Sequence, residues 1–432
     1  MKKSFGLDFG TSNSALSLSD DDNVRLLDID VHSPIKNSLK SVLYFMKEGI
    51  DRKAYVGYEA VKEYIATGGE GRYLQSIKTF LPDSSFTRTE ILNKTYKLEE
   101  LIAYLLRSMK ERGEQTIQSS VEDVVLGRPV LFSEDPRKDK LAENRLVSAA
   151  RSAGFKNITL QLEPIAAALS FENNLKTSDE KLVLVGDFGG GTSDFTIMKS
   201  SRENAKKQDR SSDILAVGGI YIGGDLFDSD IMWEKVCNYY GKTVKVNSLM
   251  GNFRFGLSTI TLSKLKRWHQ IPHLRSLKTM QNIKELKYLA SGEDKTRIEN
   301  LENLIHKNYG YLLFQAIEKA KCELSESMET KIRFNDYGMS INEGLSQKEF
   351  EGFIEEKVRQ IETKVEEALK DANLGSQDID VVFLTGGSSY VPLIKSLFEA
   401  RFGEQKIKQS EAFTSVAYGL GVYSSILRKF HA

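Results

Sequence analysis

Two stretches of the chain share one pattern of hydrophobic and polar positions. Residues 5–18 read FGLDFGTSNSALSL, and residues 183–198 read VLVGDFGGGTSDFTIM. In each stretch an apolar segment ends in Asp-Phe-Gly, a glycine turn with a Thr-Ser pair follows, and a second segment alternates apolar and polar residues. This pattern predicts two strands joined by a tight turn, whose backbone N–H groups can converge on an anion. Two such hairpins facing each other would hold a polyphosphate from both sides.

Each copy also places one aspartate at the end of its entering strand, Asp8 in the first and Asp187 in the second. A carboxylate at this position would repel phosphate unless a divalent cation lies between them. A single aspartate of this kind commonly caps a turn through hydrogen bonds to backbone N–H groups. Two in duplicated settings favour a site for a polyphosphate and its metal ion.

The rest of the chain alternates between strand-like and helix-like segments. The pattern predicts helices at residues 59–65, 98–112, 141–153, 309–325, 346–373 and 415–427, and strands at 121–132, 157–163 and 381–385. Paired glycines at Gly223-Gly224 and Gly386-Gly387 stand at strand-to-helix junctions, where a helix N-terminus can bind a phosphate or a sugar at close range. The hydrophilic segment 199–213 is interpreted as a long solvent-exposed loop.

Composition limits the classes of function. A chain of 432 residues exceeds one ordinary core, so two lobes are expected. Lysine plus arginine equals aspartate plus glutamate, at 60 each, which gives no global attraction to nucleic acid or to an anionic membrane. The basic block 264–287 is accordingly interpreted as solvated helix faces, although Trp268 lies within it.

Two cysteines, Cys237 and Cys322, make a disulfide framework improbable and indicate a reducing compartment. No Cys/His cluster has zinc-ligand spacing. The N-terminus lacks the apolar segment of a signal peptide, and no stretch approaches the length of a membrane span. A cytoplasmic protein is therefore expected.

Further motifs follow in a fixed order around the two glycine turns. They are SIKTF at 76–80, EPIAAALSFE at 163–172, GGDLFD at 223–228, EKAKCELS at 318–325, FLTGGSSYVPLI at 383–394 and VAYGLGV at 416–422. In this order, and over essentially the whole chain, they resemble the ATPase domain of the DnaK-type heat-shock protein 70 family, within the actin-like ATPase superfamily. GRPVLF at 127–132 and the early end of the chain resemble the short YegD-like branch.

The resemblance implies an α/β protein with the actin-like ATPase fold, in which two lobes, each with a five-stranded sheet and flanking helices, enclose an ATP cleft. Lobe I is expected at residues 1–177, completed by 411–432, with a small subdomain near 38–119. Lobe II is expected at 178–410, with a small subdomain near 229–344. Because the chain ends directly after the last ATPase helix, no peptide-binding domain is expected.

The resemblance also implies roles for individual residues. Asp8 and Asp187 would hold Mg²⁺ through water, Lys78 would place the attacking water and offset charge on the γ-phosphate, and Glu163 would orient a water. Asp194 matches the acidic residue near the attacking water, and Thr192 completes the catalytic set together with Asp187. The residues that would bind ATP or ADP are Gly10, Thr11, Ser12, Asn13, Gly189, Gly190, Gly191, Thr192, Gly223, Gly224, Asp225, Glu318, Lys321, Cys322, Ser325, Gly386, Gly387, Ser388 and Tyr390.

Three motifs depart from the family pattern. Cys322 replaces an arginine, and Ser389-Tyr390 replaces a small residue followed by an arginine. Those arginines sandwich adenine in the family, so the sandwich is in doubt here, although Tyr390 could stack on the base instead. Asp225 stands where the family has glutamate and is one methylene shorter.

The function expected from the resemblance is slow ATP hydrolysis, with nucleotide-driven lobe closure that controls a protein partner or co-chaperone. No membrane or nucleic-acid partner is expected. Three alternatives remain open: a small-molecule kinase of the same fold, a filament-forming actin-like protein, and a nucleotide-binding scaffold without hydrolysis. A kinase would need a general-base aspartate aimed at an acceptor hydroxyl, and EPIAAA and EKAKCELS argue against it.

Overall fold

The computed structural model describes residues 3–21, 23–49, 51–172, 179–248, 251, 253–409 and 414–431. The strands are β1 (Ser4–Asp8), β2 (Asn13–Asp20), β3 (Asn23–Leu26), β4 (Ser38–Lys40), β5 (Val42–Glu48), β6 (Asp51–Val56), β7 (Arg72–Gln75), β8 (Thr89–Ile91), β9 (Lys94–Tyr96), β10 (Asp123–Arg128), β11 (Asn157–Leu162), β12 (Lys181–Phe188), β13 (Ser193–Ser200), β14 (Ile214–Ile220), β15 (Lys245–Asn247), β16 (Arg254–Gly256), β17 (Glu329–Asp336), β18 (Met339–Ser346), β19 (Val381–Thr385) and β20 (Ile407–Gln409). The helices are α1 (Tyr58–Ala66), α2 (Leu98–Ile117), α3 (Pro136–Ser152), α4 (Glu163–Glu172), α5 (Gly224–Ile231), α6 (Thr259–Leu265), α7 (Leu277–Leu289), α8 (Gly292–Lys307), α9 (Gly310–Glu323), α10 (Gln347–Asp371), α11 (Pro392–Phe402) and α12 (Ser415–His431).

Two large sheets repeat one strand order. The first sheet runs β11-β10-β1-β2-β3 and the second runs β14-β13-β12-β19-β20, and the short β4 also pairs with β2. In both sheets the central strand is antiparallel to the strand that follows it in sequence and parallel to the strand on its other side. The duplicated hairpin seen in the sequence is therefore the centre of each sheet. The predicted α/β class with two five-stranded sheets and flanking helices is confirmed.

Helices α4 and α12 pack together between the two sheets. Their buried side chains, including Ala166, Leu169 and Leu420, share one core cluster with Val125 of the first sheet and Val183 of the second. Alanine-rich α4 allows this close packing because its side chains are short. The N-terminus of α4 is Glu163, so the same helix that joins the sheets also carries a predicted site residue.

An aromatic cluster joins the small sheet β6-β5-β7 and its helix α1 to the chain around α9. The ring of Trp268 lies 5.8 Å from that of Tyr64, 4.8 Å from that of Tyr73 and 4.9 Å from that of Tyr311. Beside it, the Arg275 guanidinium donates a 2.8 Å hydrogen bond to the carbonyl oxygen of Gly68. Trp268 and Arg275 of the basic block therefore hold two distant parts of the chain together.

The segment 199–213 differs from the predicted solvent-exposed loop. Its Arg210 is fully buried and forms ion pairs of 2.7 Å with Glu172 at the end of α4 and 2.9 Å with Asp213, both also buried. The prediction was wrong for this part of the segment because the partner Glu172 is distant in sequence. The neighbouring Lys206 and Glu203 do pair in the solvent, each with about 70% of its side chain exposed.

Candidate functional site

The two glycine turns face each other across a cleft. One turn connects β1 to β2 and the other connects β12 to β13. A Cβ atom added to Gly190 would lie 2.4 Å from the hydroxyl oxygen of Ser12, so the absence of a side chain lets the turns approach. The Ser12 hydroxyl also donates a 3.5 Å hydrogen bond to Asp225, which follows the second sheet. The turns therefore form opposite walls of one site.

The cleft has a volume of about 720 Å³. Most of the predicted site residues line it, namely Asp8, Gly10, Thr11, Ser12, Asn13, Lys78, Glu163, Asp187, Gly189, Gly190, Gly191, Thr192, Asp194, Gly386 and Gly387. They come from five separate stretches of sequence, around both sheets. The duplication thus brings these predicted residues together, and the volume lies in the range typical of small-molecule sites.

Lys78 and Glu163 form an ion pair at the base of the cleft. The Lys78 ammonium nitrogen lies 2.8 Å from a carboxylate oxygen of Glu163, and 12% and 15% of the two side chains are exposed. Lys78 lies in the short 3₁₀ helix Ile77–Phe80, and Glu163 begins α4. Burial alone would lower the pKa of Lys78. The negative charges of Glu163 and Asp8 outweigh the effect of burial, so the pKa is raised. Lys78 is therefore a cation at neutral pH.

Three further carboxylates surround this ion pair. Burial, followed by repulsion from Glu163, raises the pKa of Asp8, whereas burial and the charge of Asp194 raise that of Asp187 to about 7. Asp194 pairs with Asp187 in the β12–β13 register and faces the open cleft. The cleft walls limit its hydration and raise its pKa to about 6, although a 2.9 Å hydrogen bond from the Thr192 hydroxyl lowers it.

The donor set fits a hydrated Mg²⁺ ion. Burial and mutual repulsion raise the pKa values of Asp8 and Asp187 although Lys78 offsets part of their charge, and a divalent cation between them would offset the rest. Among the described residues, no group of three or more acidic, histidine or cysteine side chains converges to hold a metal ion. Mg²⁺ commonly keeps several waters and uses one or two carboxylates, so Asp8 and Asp187 would hold it through water.

The Gly223-Gly224 pair packs against the β12–β13 turn outside the lining of the cleft. A Cβ atom on Gly223 would lie 2.5 Å from the carbonyl oxygen of Gly190, and the Asp225 N–H donates a 2.8 Å hydrogen bond to that oxygen. The Ser388 hydroxyl donates a 3.2 Å hydrogen bond to the carbonyl oxygen of Gly189. These three residues therefore contact the turn but do not line the cleft itself.

Lys321, one of the residues predicted to bind the nucleoside, lies next to the Gly223-Gly224 pair. The Lys321 ammonium forms a 2.8 Å ion pair with Asp228 and donates a 3.4 Å hydrogen bond to the carbonyl oxygen of Gly224. The charges of Asp228 and Glu318 outweigh burial and raise the pKa of Lys321. The sequence reasoning gave Asp228 no role, yet its spacing of three from Asp225 on α5 was a signal that both face α9.

The remaining predicted residues lie outside the cleft lining. They are Glu318, Cys322, Ser325 and Tyr390. Cys322 is exposed on α9, and Tyr390 is 40% exposed at the end of the 3₁₀ helix Gly387–Tyr390. The structure therefore does not bring these four into the cleft with the phosphate-side residues, and their contact with a base stays a prediction.

Two buried arginines that the sequence analysis missed hold the backbone around the cleft. Arg128 bonds to Asp139 and Glu143 of α3 and to the carbonyl oxygens of Pro129 and Val130, which begin one cleft wall. Arg145 of α3 holds the segment after Lys78 and is described below. A signal for Arg145 existed, since it lies among Ala142, Leu146 and Ala149 on the apolar face of a helix.

Comparisons with known proteins agree with this geometry. The sequence pattern of the Hsp70 protein family matches residues 75–250 and 293–431. The chain is 26% identical over 431 residues to the chaperone protein DnaK of Thermosipho melanesiensis, and 26% identical to that of Thermosipho africanus. These alignments cover 98% of this chain but 59% and 58% of the relatives, so the chain spans about three fifths of their length.

Among the helices of the described residues, none combines the length and the apolar character that crossing a membrane would require. The family match covers well over half of the chain and includes both Lys78 and the Asp187 turn. With two duplicated sheets facing one acidic cleft, this protein belongs to the Hsp70 family.

Proposed function

We propose that this chain binds ATP with Mg²⁺ in the cleft between its two sheets, hydrolyses it slowly, and uses lobe closure to control a protein partner or co-chaperone. The observation that carries the proposal is the arrangement of Lys78. Its ammonium pairs with Glu163, while Asp8 approaches from the first sheet and Asp187 and Asp194 approach from the second. One cation is thus held among carboxylates between two phosphate-binding turns.

The chemistry would be positioning and charge compensation, which dominate phosphoryl transfer. Backbone N–H groups of the two turns would bind the phosphates. Bound Mg²⁺ would neutralise phosphate charge. Lys78, fixed by Glu163, would orient the attacking water and stabilise charge on the γ-phosphate. Asp194 is largely ionised at neutral pH, given its pKa of about 6, and would accept a hydrogen bond from that water.

The proposed machinery consists of two lobes. Lobe I comprises residues 1–177 and 411–432, and lobe II comprises 178–410, each with one of the two sheets. The packing of α4 and α12 between the sheets supports a hinge there, around which nucleotide would shift the population of closed molecules. The GRPVLF segment, which Arg128 fixes at the cleft wall, supports placement in the YegD-like branch. A cytoplasmic location remains part of the proposal.

Single-turnover hydrolysis of ATP with Mg²⁺ tests the proposal. Lys78→Ala should lower the rate by about 100-fold or more, because removing one charge-stabilising group in an active site typically costs that much. Lys62→Ala, which removes an exposed lysine of α1, should leave the rate unchanged. Phosphate released from ATP should carry oxygen from labelled water.

Three outcomes would contradict the proposal. Tight ATP binding without hydrolysis would indicate a nucleotide-binding scaffold. Phosphate transfer to an added metabolite rather than to water would indicate a kinase. Nucleotide-dependent light scattering would indicate a filament-forming protein.

A further inference from the structure

Arg145 is a buried charge that lies outside the lining of the cleft. It lies on the apolar face of α3, and 8% of the residue is exposed. Its Nε atom lies 3.6 Å from a carboxylate oxygen of Glu99 on α2 and makes no hydrogen bond. An arginine is seldom buried to this degree unless its donors are satisfied, so its other N–H groups are expected to donate hydrogen bonds to nearby acceptors.

Those N–H groups converge on one short stretch of backbone. Through one terminal nitrogen, Arg145 donates to the carbonyl oxygens of Leu81 at 2.9 Å, Asp83 at 2.8 Å and Phe80 at 3.3 Å. Through the other it donates to the carbonyl oxygen of Phe86 at 2.8 Å. Residues 81–88 form no helix or strand, so their carbonyl oxygens lack the N–H partners of regular secondary structure. The Arg145 guanidinium donates to several of these oxygens instead.

This stretch directly continues the segment that carries Lys78. The 3₁₀ helix Ile77–Phe80 begins after Ser76, whose φ of 55° lies in the left-handed region that non-glycine residues seldom adopt. Its C-terminal residue Phe80 is one of the residues that Arg145 binds, and the ring of Phe80 lies 5.2 Å from that of Phe86. The orientation of Lys78 toward Glu163 therefore depends on a short, strained turn anchored at its far end by Arg145.

We propose that Arg145 is a positioning residue for hydrolysis: it fixes residues 80–86 and thereby holds the Lys78 ammonium against Glu163. The inference rests on the proposed ATPase function. A displacement of about 1 Å at a catalytic group can cost 100-fold in rate, whereas ATP binding relies on turns that Arg145 does not contact. Arg145 should accordingly affect the rate of the chemical step and leave nucleotide affinity unchanged.

The test compares Arg145→Gln with Arg151→Gln, a matched variant that removes an exposed arginine from the same helix. Three quantities are measured for each: the single-turnover rate with saturating Mg²⁺ and protein in excess of ATP, the affinity for ATP, and amide hydrogen exchange over residues 77–88. Arg145→Gln should slow hydrolysis about 10-fold to 100-fold, with affinity within about twofold of wild type. Exchange of the Leu81, Asp83 and Phe86 amides should accelerate, since their turn hydrogen bonds lie in the anchored segment.

Arg145→Lys serves as a milder variant should Arg145→Gln fail to fold. A lysine retains the charge but cannot span four carbonyl oxygens, so its rate should lie between those of wild type and Arg145→Gln. Unchanged hydrolysis in the variants would overturn the inference, and so would slower hydrolysis without faster exchange. If the wild type does not hydrolyse ATP, the proposed function fails and the catalytic consequence fails with it, whereas the exchange data still decide whether Arg145 anchors the segment.

Discussion

Asp187 shows how a single residue serves two opposed requirements. Proximity to Asp8 would let the two carboxylates hold Mg²⁺ through water, yet in the protein alone burial and the charges of Asp194 and Glu163 disfavour the ionised form of Asp187. Its pKa of about 7 means that the folded protein retains a proton that the unfolded chain, with an ordinary aspartate, releases near pH 4. Ionisation of Asp187 above that pH therefore costs folding free energy in the absence of metal and nucleotide.

We therefore expect Asp187→Asn to stabilise the protein more as the pH rises. The folded state binds the extra proton between about pH 4 and pH 7, so the wild type loses stability as the pH rises through this window and the amide variant does not. The gain in unfolding free energy, measured by urea denaturation without Mg²⁺ or nucleotide, should be about 2 kcal/mol larger at pH 8 than at pH 5.

Asp209→Asn is a matched control, for which the expected change in stability with pH has the opposite sign. Hydrogen bonds from Ser211 lower the pKa of Asp209, which lies in the exposed part of segment 199–213. Asp209→Asn should therefore lose stability above the ordinary pKa of aspartate rather than gain it. An equal gain for Asp187→Asn at both pH values would show that burial and the neighbouring carboxylates do not raise the pKa of Asp187.

At the scale of elements, local sequence patterns predicted most of the structure. The strand at 381–385 is confirmed to the residue. Helix α1 covers the helix expected at 59–65, and α3 covers the one expected at 141–153 except for its last residue. The strand expected at 121–132 ends at Arg128, because Pro129 follows and cannot donate to a sheet. Helices were expected over 346–373, and one helix, α10, covers Gln347–Asp371 of that range. Local patterns could not predict long-range ion pairs such as that between Arg210 and Glu172.

Arg210→Gln should destabilise the protein by about 3–5 kcal/mol, because the substitution leaves Glu172 buried without a counter-charge, whereas Asp213 keeps Lys207 at 3.1 Å. Lys206→Gln breaks an exposed ion pair in the same segment and should change stability by less than about 1 kcal/mol. Urea denaturation measures both. Adding Glu172→Gln to Arg210→Gln should recover part of the loss, and equal effects of the two single variants would argue against a buried anchor.

At the scale of the molecule, the sequence predicts those parts of the site in which a whole motif lies on a single turn, as in the two glycine turns. Duplicated turns imply duplicated sheets, so the sequence located the phosphate side of the cleft. Helix periodicity indicates that Arg145 and Asp228 face inward, but it could not identify their partners, residues 80–86 and Lys321, because these lie on other elements far away in sequence. The base contacts of Cys322 and Tyr390 stay predictions for the same reason.

The aromatic cluster leads to a prediction about nucleotide release. Trp268→Ala removes the ring contacts with Tyr64 and Tyr73, which join the chain around α9 to α1 and β7. Aromatic pairs contribute about 0.5–1.5 kcal/mol each, so opening should become easier and ADP release roughly tenfold faster. Rapid filtration with radiolabelled ADP measures this rate. Tyr288→Ala, which removes an aromatic side chain that is 82% exposed, should leave it unchanged. A wild-type release rate in Trp268→Ala would mean that the cluster does not restrain opening.

The same cluster gives the protein an intrinsic optical reporter. The chain contains two tryptophans. Trp233 lies between the ammonium groups of Lys242 and Lys266, at 4.2 Å and 4.3 Å from its ring, whereas Trp268 lies against tyrosines from a distant part of the chain. Any separation of these parts brings the Trp268 indole into water, which shifts its fluorescence to longer wavelengths. With Trp233 replaced by phenylalanine, the emission spectrum of an unlabelled sample would follow opening and closing in real time.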